Sequence, residues 1–481
     1  MLKNLLRLFF NNFGIRQTIF KNTIWLISAE VVVKILGIIL VIYIARILGA
    51  SGYGEFAFAL SFVSIMSIFA ELGIVDTSTR ELSRSQDNEK NFSGIFTLGV
   101  VLCLIMLAAT FALSFFITLD PDIRATIWIL GIFISSNSLF SVIFSFLRAR
   151  QKMEYEALIK VFQSLGNAIV VFWVLFYTPS VENVSYGYMA SNLIMLALLL
   201  VFFNFYFQPI RLKWEKYSLD ILKMSWPLSL GFMASWIYIS INSVMLGYFN
   251  LIIENGWYNA ASKIAIAAVI PASLLVKTFY PMLSKFYVSS RDKLQKSWDY
   301  LAQSMIFLAV PMVTGVVILA PKIIDAFYGS SFYPSILALQ LLIFVVAIGF
   351  INFPYSIILV VADQQKKNFI LIVAGAAVNI VLNILLIPIY SFYGTIISTI
   401  ISSVLVLFST MALSKRLTPI YLFDRKLITA TLISIFSSAA MYFAIANRFV
   451  YSLNILFVCL IGALVYFIFL IPAYAVFIRK K

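Results

Sequence analysis

Long uninterrupted apolar segments constrain this chain more than any other feature of its sequence. We identify fourteen of them, each at least about 20 residues long, which is the length that an α-helix needs to cross the hydrocarbon core of a bilayer. Only 11% of the residues are charged and 62% are apolar, whereas a soluble domain is about 25% charged, so a soluble enzyme is excluded. A transmembrane β-barrel would instead show alternating segments of about 10 residues. The sequence therefore predicts an all-α polytopic membrane protein with 14 transmembrane helices.

The predicted spans are at about 22–48, 54–78, 92–118, 124–147, 157–178, 184–207, 222–249, 256–284, 299–327, 335–361, 368–390, 393–413, 425–446 and 453–478.

The distribution of Lys and Arg predicts the orientation of these helices. With the N-terminus in the cytoplasm, 28 of the 35 basic residues lie in cytoplasmic segments, four lie at outer ends and three lie within spans. Basic residues concentrate on the cytoplasmic side of multi-pass proteins, so we expect both termini to be cytoplasmic and the protein to lie in the cytoplasmic membrane. The net charge of +15 thus reflects topology, and no nucleic-acid partner is predicted.

An internal repeat at an offset of about 200 residues predicts two similar halves. Residues 54–59 correspond to 256–261, and residues 82–84 correspond to 283–285. A polar pair four residues apart also recurs in corresponding spans. We therefore predict an N-terminal six-helix bundle at 1–210, a C-terminal six-helix bundle at 211–418 and two additional transmembrane helices at 419–481, with a central cavity between the bundles.

The sequence lacks the residues of common catalytic and metal centres. Histidine is absent, and both cysteines lie in apolar runs. There is no phosphate-binding GxxxxGK[ST] motif and no nucleophile elbow. We expect a secondary carrier without a cofactor, and not an enzyme.

Three lysines within predicted spans are candidate anion-binding residues: Lys34, Lys263 and Lys277. A charge at mid-membrane depth costs about 2.5–3.5 kcal/mol on insertion scales, so such residues tend to face a cavity. If the bend expected at Pro271 is ignored, the 14-residue separation of Lys263 and Lys277 would bring both to within about 40° of one helix face. The alternative is that the lysines extend along the lipid-facing surface toward the interface.

Acidic residues within spans occur in the first half only. Glu30 precedes Lys34 by four residues and Asp76 precedes Arg80 by four, which is a favourable spacing for helical ion pairs. Glu71 has no evident partner in the sequence. We take Glu30, Glu71, Asp76 and Arg80 as candidate coupling or gating residues, with mutual neutralisation during membrane insertion as the alternative.

Five amide side chains are candidate contacts to a polar substrate. They are Gln163, Asn167, Asn242, Asn379 and Asn383. Amides within spans also form hydrogen bonds between helices, and that role is an equal alternative for each of them. The spans of the first half contain acids and one lysine, whereas those of the second half contain lysines without acids. This distribution favours an anionic substrate over a cationic one.

Nine short motifs occur along the chain, at residues 45–49, 52–56, 72–73, 79–84, 226–229, 245–248, 379 with 383, 386–388 and 393–394. Together they resemble polysaccharide-biosynthesis flippases of the O-antigen type. These belong to the superfamily that also contains the multidrug and toxin extrusion carriers and the lipid II flippases. The resemblance covers nearly the whole chain.

The resemblance implies two six-helix bundles in a V shape that alternate access to a central cavity. The implied substrate is an oligosaccharide on a polyprenyl diphosphate, with membrane lipids, a polysaccharide polymerase and chain-length proteins as partners. Lysines would neutralise the diphosphate, and amides would contact the glycan. Relatives often carry an acid where this chain has Asn242, so a coupling role there is in doubt.

Three other functions remain open from the sequence. A cation or drug antiporter of the same superfamily would need an unpaired acid in the cavity, for which Glu71 is the candidate. A lipid II flippase would share the fold. A glycan ligase or polymerase would show a long outer loop rich in charged residues, which this sequence lacks.

Overall fold

Helices account for nearly all of the described chain. The computed structural model describes residues 14–84, 88–418, 420 and 425–479, and these contain sixteen α-helices, one short 3-10 helix and no β-strand. Twelve helical segments are long and apolar enough to cross a membrane. The prediction of an all-α multi-pass membrane protein is confirmed.

The first seven helices are α1 (Ile15–Glu71), α2 (Ile74–Arg84), α3 (Asn88–Ile117), α4 (Pro121–Ala149), α5 (Met153–Tyr177), α6 (Val181–Tyr206) and α7 (Lys216–Tyr248). The remaining helices are α8 (Ile252–Ala267), α9 (Ile270–Ser289), α10 (Arg291–Phe327), α11 (Ser335–Val361), α12 (Gln365–Tyr390), α13 (Phe392–Leu417), α14 (Arg425–Ala446), α15 (Arg448–Ser452) and α16 (Ile455–Arg479), with the 3-10 helix at Ser330–Phe332.

The contacts divide the chain into two compact units, Met1–Ile253 and Glu254–Lys481. Helix α7 belongs to the first unit because it packs closely on α1. A Cβ atom on Gly247 would lie only 2.1 Å from the ring of Phe58, and the Ser243 hydroxyl donates to the Ala57 carbonyl at 3.4 Å. The functional boundaries at 210 and 418 remain predictions, because contacts do not show which helices move together.

Aromatic packing forms the core of the first unit. The rings of Phe92, Phe146 and Phe203, on α3, α4 and α6, lie 4.9–5.2 Å apart in all three pairings. All three side chains are buried. Aromatic pairs in this range add about 0.5–1.5 kcal/mol each beyond their area burial, so this cluster holds α3, α4 and α6 together. Helices α4 and α6 also border the cavity described below.

Helix α1 contains a sharp interruption at Gly49, whose φ of 68° and ψ of −177° are not helical. A positive φ favours glycine because other residues are strained there. The helix then ends at Glu71, and Leu72 and Gly73 also have positive φ. The predicted span 54–78 is therefore wrong at its end: residues from Ile74 onward form the separate amphipathic helix α2.

The predicted span at 256–284, for which a bend at Pro271 was expected, is divided into two helices. These are α8 and α9, with a turn at Ala268 and Val269 and with Pro271 in the first turn of α9. Proline lacks the N–H that would continue the helical hydrogen bonds, which explains an interruption at this point.

The two C-terminal membrane helices, α14 and α16, pack on α10. The buried Tyr466 hydroxyl on α16 lies 2.8 Å from Ser434 Oγ on α14 and donates to the Phe307 carbonyl on α10 at 3.0 Å. A buried hydroxyl needs such partners, and here they join three helices.

Candidate functional site

A polar cavity of about 360 Å³ lies in the first unit between α1, α4, α5 and α6. Its apolar wall includes Leu40, Phe140 and Phe144. Its polar lining residues are Glu30, Asn137, Ser141, Arg148, Lys160, Gln163, Ser164, Asn167 and Tyr188. Polar groups that converge in a concave site of this size are typical of a ligand-binding site.

Two basic side chains at one end of this cavity share a single carboxylate. Arg148 Nε donates to Glu156 Oε2 at 2.8 Å, and its Nη2 donates to Oε1 at 2.7 Å. Lys160 Nζ lies 2.9 Å from the same Oε1. The Glu156 side chain is fully buried, whereas Arg148 and Lys160 are 30% and 26% exposed. This ion triad therefore carries one net positive charge at the cavity wall.

The residues of the ion triad lie where α4 ends and α5 begins. Arg148 is in the last turn of α4, where a cation interacts favourably with the helix dipole. Glu156 in the first turn of α5 and Lys160 four residues later form a helical ion pair. The turn between α4 and α5, with Gln151 at φ 55°, brings the two helix ends together.

An amide cluster forms the next part of the wall. Gln163 Nε2 donates to Asn137 Oδ1 at 2.8 Å and to Asn192 Oδ1 at 2.7 Å. Asn192 Nδ2 in turn donates to Ser136 Oγ at 2.8 Å and to Asn137 Oδ1 at 3.1 Å. The buried Asn167 Oδ1 has no hydrogen-bond partner within the described parts of the chain. A ligand hydroxyl could satisfy it, since a buried acceptor without a partner is costly.

The opposite face of α5 borders an apolar groove of about 560 Å³ between α5 and α6. Phe162, Leu165 and Ile169 line it, while Gln163 and Asn167 on the same helix face the polar cavity. Helix α5 thus separates polar from apolar surroundings, as the helical period of these residues requires.

The structure contains the predicted pair of Glu30 and Lys34. Lys34 Nζ lies 3.4 Å from Glu30 Oε1, and both side chains are about half exposed. Glu30 also lines the polar cavity, which brings it together with the predicted residues Gln163 and Asn167.

The predicted ion pair between Asp76 and Arg80 is not formed. Arg80 Nε instead contacts Glu81 Oε1 at 3.0 Å. Asp76 lies in the first turn of α2, where a carboxylate interacts favourably with the helix dipole, and it also interacts electrostatically with Arg148. Glu71, at the end of α1, is partly buried and forms no ion pair among the described residues.

Lys263 and Lys277 lie on different helices, α8 and α9, in the second unit. The turn at 268–269 means that 100° per residue cannot be used to place them on one face. Both lysines are exposed, and neither forms an ion pair with any residue that the structure describes.

The remaining predicted amides are buried between helices. Asn379 Nδ2 on α12 lies 3.3 Å from Thr399 Oγ1 and 3.4 Å from Ser402 Oγ on α13. Asn383 Nδ2 donates to Asn379 Oδ1 at 3.1 Å. Asn242 on α7 is also buried. These contacts give Asn379 and Asn383 a role in helix packing, and substrate contact by them remains a prediction.

Sequence reasoning did not single out Arg148, Glu156, Lys160, Asn137 or Asn192. Both basic residues are among the 28 that the charge distribution places in cytoplasmic segments, because a charge near a span boundary usually marks orientation. The available signal was the pair of Glu156 and Lys160 at a four-residue spacing, inside an otherwise apolar helix.

The sequence of this chain is similar to those of a known protein family. Residues 19–287, more than half of the chain, match the family described as "Polysaccharide biosynthesis protein". The chain is 25% identical to "Probable flippase AglR" of Haloferax volcanii over 395 residues. These residues make up 79% of each of the two proteins.

Two solved structures show the same fold. The chain is similar to "Lipid II flippase MurJ, inward closed conformation", with a TM-score of 0.75, 16% identity and coverage of 95% of this chain and 99% of that one. It is also similar to an inward-facing multidrug resistance MATE family transporter of the MOP superfamily, with a TM-score of 0.63, 15% identity and coverage of 80% and 95%. At these identities the likeness concerns the fold alone. On the evidence of the family match, the chain belongs to the polysaccharide biosynthesis protein family of membrane flippases and transporters.

Proposed function

We propose that this protein flips oligosaccharide repeat units linked to polyprenyl diphosphate across the cytoplasmic membrane by alternating access, for surface polysaccharide biosynthesis. The observation that carries the proposal is the cavity of the first unit, in which two basic side chains lie beside an amide cluster. An anionic glycolipid head needs both kinds of group: cations for its phosphates and amides for its hydroxyls.

The apolar groove on the other side of α5 supports a lipid-linked substrate. A prenyl chain is too apolar for the polar cavity, and burial of apolar surface contributes about 25 cal/mol per Å². The groove between α5 and α6 offers such a surface next to the cavity. Transport of this kind changes no covalent bond, so we propose a carrier and not an enzyme.

The predicted lysines fit the proposal in different ways. Lys34 is paired with Glu30, so its charge is already offset. We propose that Lys263 and Lys277, which have no ion pair among the described residues, contact the diphosphate during transport. Glu30, Glu71, Asp76 and Arg80 are proposed coupling or gating residues, with Glu30 favoured because it lines the cavity.

We also propose that the chain crosses the membrane fourteen times. The first of the twelve candidate segments, Gln17–Arg84, has 68 residues, far more than one crossing needs, and Gly49 interrupts it. Counting it twice and adding the 33-residue α7 makes fourteen. An even number is consistent with both termini in the cytoplasm, which we also propose.

A cation or drug antiporter is the second candidate. Glu30 in the cavity would suit a cationic substrate, and the fold likeness to a MATE transporter is compatible with it. The two cations that line the same cavity, Arg148 and Lys160, disfavour this alternative. A lipid II flippase shares the proposed headgroup chemistry and differs in the glycan.

Deletion of the gene in its native host tests the proposal. We expect lipid-linked oligosaccharide to accumulate on the inner leaflet and surface glycan to be lost, with both restored by the wild-type gene. Normal surface glycan together with new sensitivity to cationic dyes would contradict the proposal and support the antiporter.

A further inference from the structure

The segment that joins α6 to α7, residues 208–215, is not helical and is held against the start of α3. The backbone N–H of Arg211 donates to Ser93 Oγ at 3.4 Å, and that of Lys213 donates to Thr97 Oγ1 at 2.9 Å. Four residues of helix and two residues of extended chain both span about 6 Å, so these two bonds fix an extended segment along the first turns of α3. We call residues 208–215 the strap.

The side chains of the strap combine cations with exposed apolar groups. Leu212 and Trp214 are 68% and 51% exposed, and Arg211 and Lys213 are exposed as well. Successive side chains of an extended segment point to opposite sides, so the two apolar residues share one side and the two cations share the other. This arrangement is typical of a segment that lies at the interface between a membrane and water.

The turn between α4 and α5 brings two more cations to the same end of the first unit. The Arg150 guanidinium lies over the Phe146 ring at 5.2 Å, and Lys152 Nζ lies over the Tyr155 ring at 5.9 Å. Both rings lie close to the ring of Phe207, the residue before the strap, with centroid distances of 6.1 Å and 5.5 Å. The turn and the strap are therefore neighbours.

The acids near these four cations leave the surface predominantly positive among the described side chains. None of the four cations forms an ion pair with a described residue. Glu154 and Glu156 on α5 are buried in ion pairs with other cations, and Glu215 is only partly exposed. Asp220 is exposed on α7, but Lys223 is exposed on the same helix one turn later.

We propose that the strap and the turn between α4 and α5 form a binding surface for an anionic phospholipid of the cytoplasmic leaflet. Four cations contact its headgroup: Arg150, Lys152, Arg211 and Lys213. A small soluble anion would need only these cations, whereas the exposed Leu212 and Trp214 fit a ligand that also has acyl chains. No residue of this surface lines the polar cavity, and the assignment does not depend on which substrate is transported.

Titration of the full-length protein in detergent with phosphatidylglycerol, followed by native mass spectrometry, tests this surface. We expect the wild type to bind phosphatidylglycerol in preference to phosphatidylcholine. The double variant Arg211→Gln with Lys213→Gln should bind phosphatidylglycerol about tenfold or more weakly, because each cation near an anionic headgroup contributes about fivefold. The strap is held through backbone N–H groups, so these substitutions leave its bonds to α3 in place.

The double variant Lys366→Gln with Lys367→Gln is the matched control. Both lysines are exposed in the first turn of α12, at an end that we also propose to be cytoplasmic, and neither forms an ion pair with a described residue. We expect wild-type affinity for phosphatidylglycerol. Equal losses in the two double variants would overturn the surface and show general attraction to the basic face of the protein.

A second pair of substitutions tests the surface on a different segment. Arg150→Gln with Lys152→Gln should also weaken binding of phosphatidylglycerol, with the melting temperature of the lipid-free protein unchanged. Wild-type affinity in both this variant and the strap variant would overturn the proposal, as would equal binding of phosphatidylglycerol and phosphatidylcholine by the wild type.

Glycerol 1-phosphate, which is the charged headgroup without acyl chains, distinguishes a lipid surface from a site for small anions. It should compete only weakly with phosphatidylglycerol, and Leu212→Ser with Trp214→Ser should weaken lipid binding although all four cations remain. Strong competition by glycerol 1-phosphate, together with wild-type affinity in this apolar variant, would overturn the lipid surface and show a small-anion site. The titration contains no oligosaccharide, so its outcome is independent of the proposed transport function.

Discussion

Individual charged residues show how far a linear sequence can predict a site. The pair of Glu30 and Lys34 was predictable because both residues lie on one helix at a four-residue spacing. The ion triad was not, because Arg148 reaches Glu156 only through the turn between α4 and α5. Asn192 likewise joins the amide cluster from a separate helix, α6.

Loss of the shared carboxylate should destabilise the first unit. Glu156→Gln leaves Arg148 and Lys160 close together without their counter-charge, and breaking a buried ion pair costs about 3–5 kcal/mol. We expect a smaller loss here, up to about 3 kcal/mol, because the two cations keep part of their exposure to the cavity. The measurement is the melting temperature of the purified protein in detergent.

Glu182→Gln is the control for this prediction. Glu182 is exposed in the first turn of α6 and forms no ion pair among the described residues, so its melting temperature should match the wild type. An unchanged melting temperature in Glu156→Gln would show that the carboxylate does not hold the triad together.

Charge reversal at the second-unit lysines tests their proposed role in transport. Lys277→Glu and Lys263→Glu would repel a diphosphate, whereas Lys277→Arg keeps the charge. We expect surface glycan, normalised to the amount of protein in the membrane, to be lost in both reversals and partly retained with Arg. Lys285→Glu, at the exposed end of the same helix α9, is the control. Wild-type amounts of surface glycan in both charge-reversal variants would contradict this role and indicate that the two lysines face lipid.

At the scale of helices, hydropathy predicted where apolar helices form but not where they are interrupted. The prediction merged α8 with α9 and extended the second span past Glu71. An apolar run indicates that a segment lies in lipid, but it does not indicate where the backbone adopts a positive φ and ends a helix. Leu72 and Gly73 are such positions. Pro271 did indicate a bend near the first of these interruptions, because proline cannot continue the helical hydrogen bonds.

The close contact of α1 with α7 gives a prediction at this scale. Gly247→Ala places a Cβ atom 2.1 Å from the buried ring of Phe58, and overpacking of this kind costs about 1–3 kcal/mol. We expect a lower melting temperature, and Phe58→Leu should restore part of the loss by making room.

A second glycine provides the comparison. A Cβ atom on Gly349 in α11 would meet no atom within 4 Å, so Gly349→Ala should not lower the melting temperature. Equal effects of both glycine substitutions would mean that helix propensity, and not the contact with Phe58, determines the result.

At the scale of the whole molecule, composition and basic-residue distribution predicted the class of protein, and the family match agrees with it. The orientation can be tested with single cysteines in a chain that lacks Cys103 and Cys459. Asp122 and Ser330 are exposed at ends that we propose to be outside, and Ser289 is exposed at an end that we propose to be cytoplasmic. A membrane-impermeant maleimide should label Asp122→Cys and Ser330→Cys in intact cells, and Ser289→Cys only after permeabilisation. The reverse pattern would invert the topology.

Flipping by the purified protein is the most direct measurement of the central claim. Proteoliposomes that contain a polyprenyl-diphosphate oligosaccharide in both leaflets are treated from outside with a glycan-degrading enzyme. With the wild-type protein we predict that digestion proceeds beyond the outer-leaflet share toward completion, and that Lys160→Gln slows the second phase. Digestion that stops at the plateau of protein-free liposomes would contradict the account.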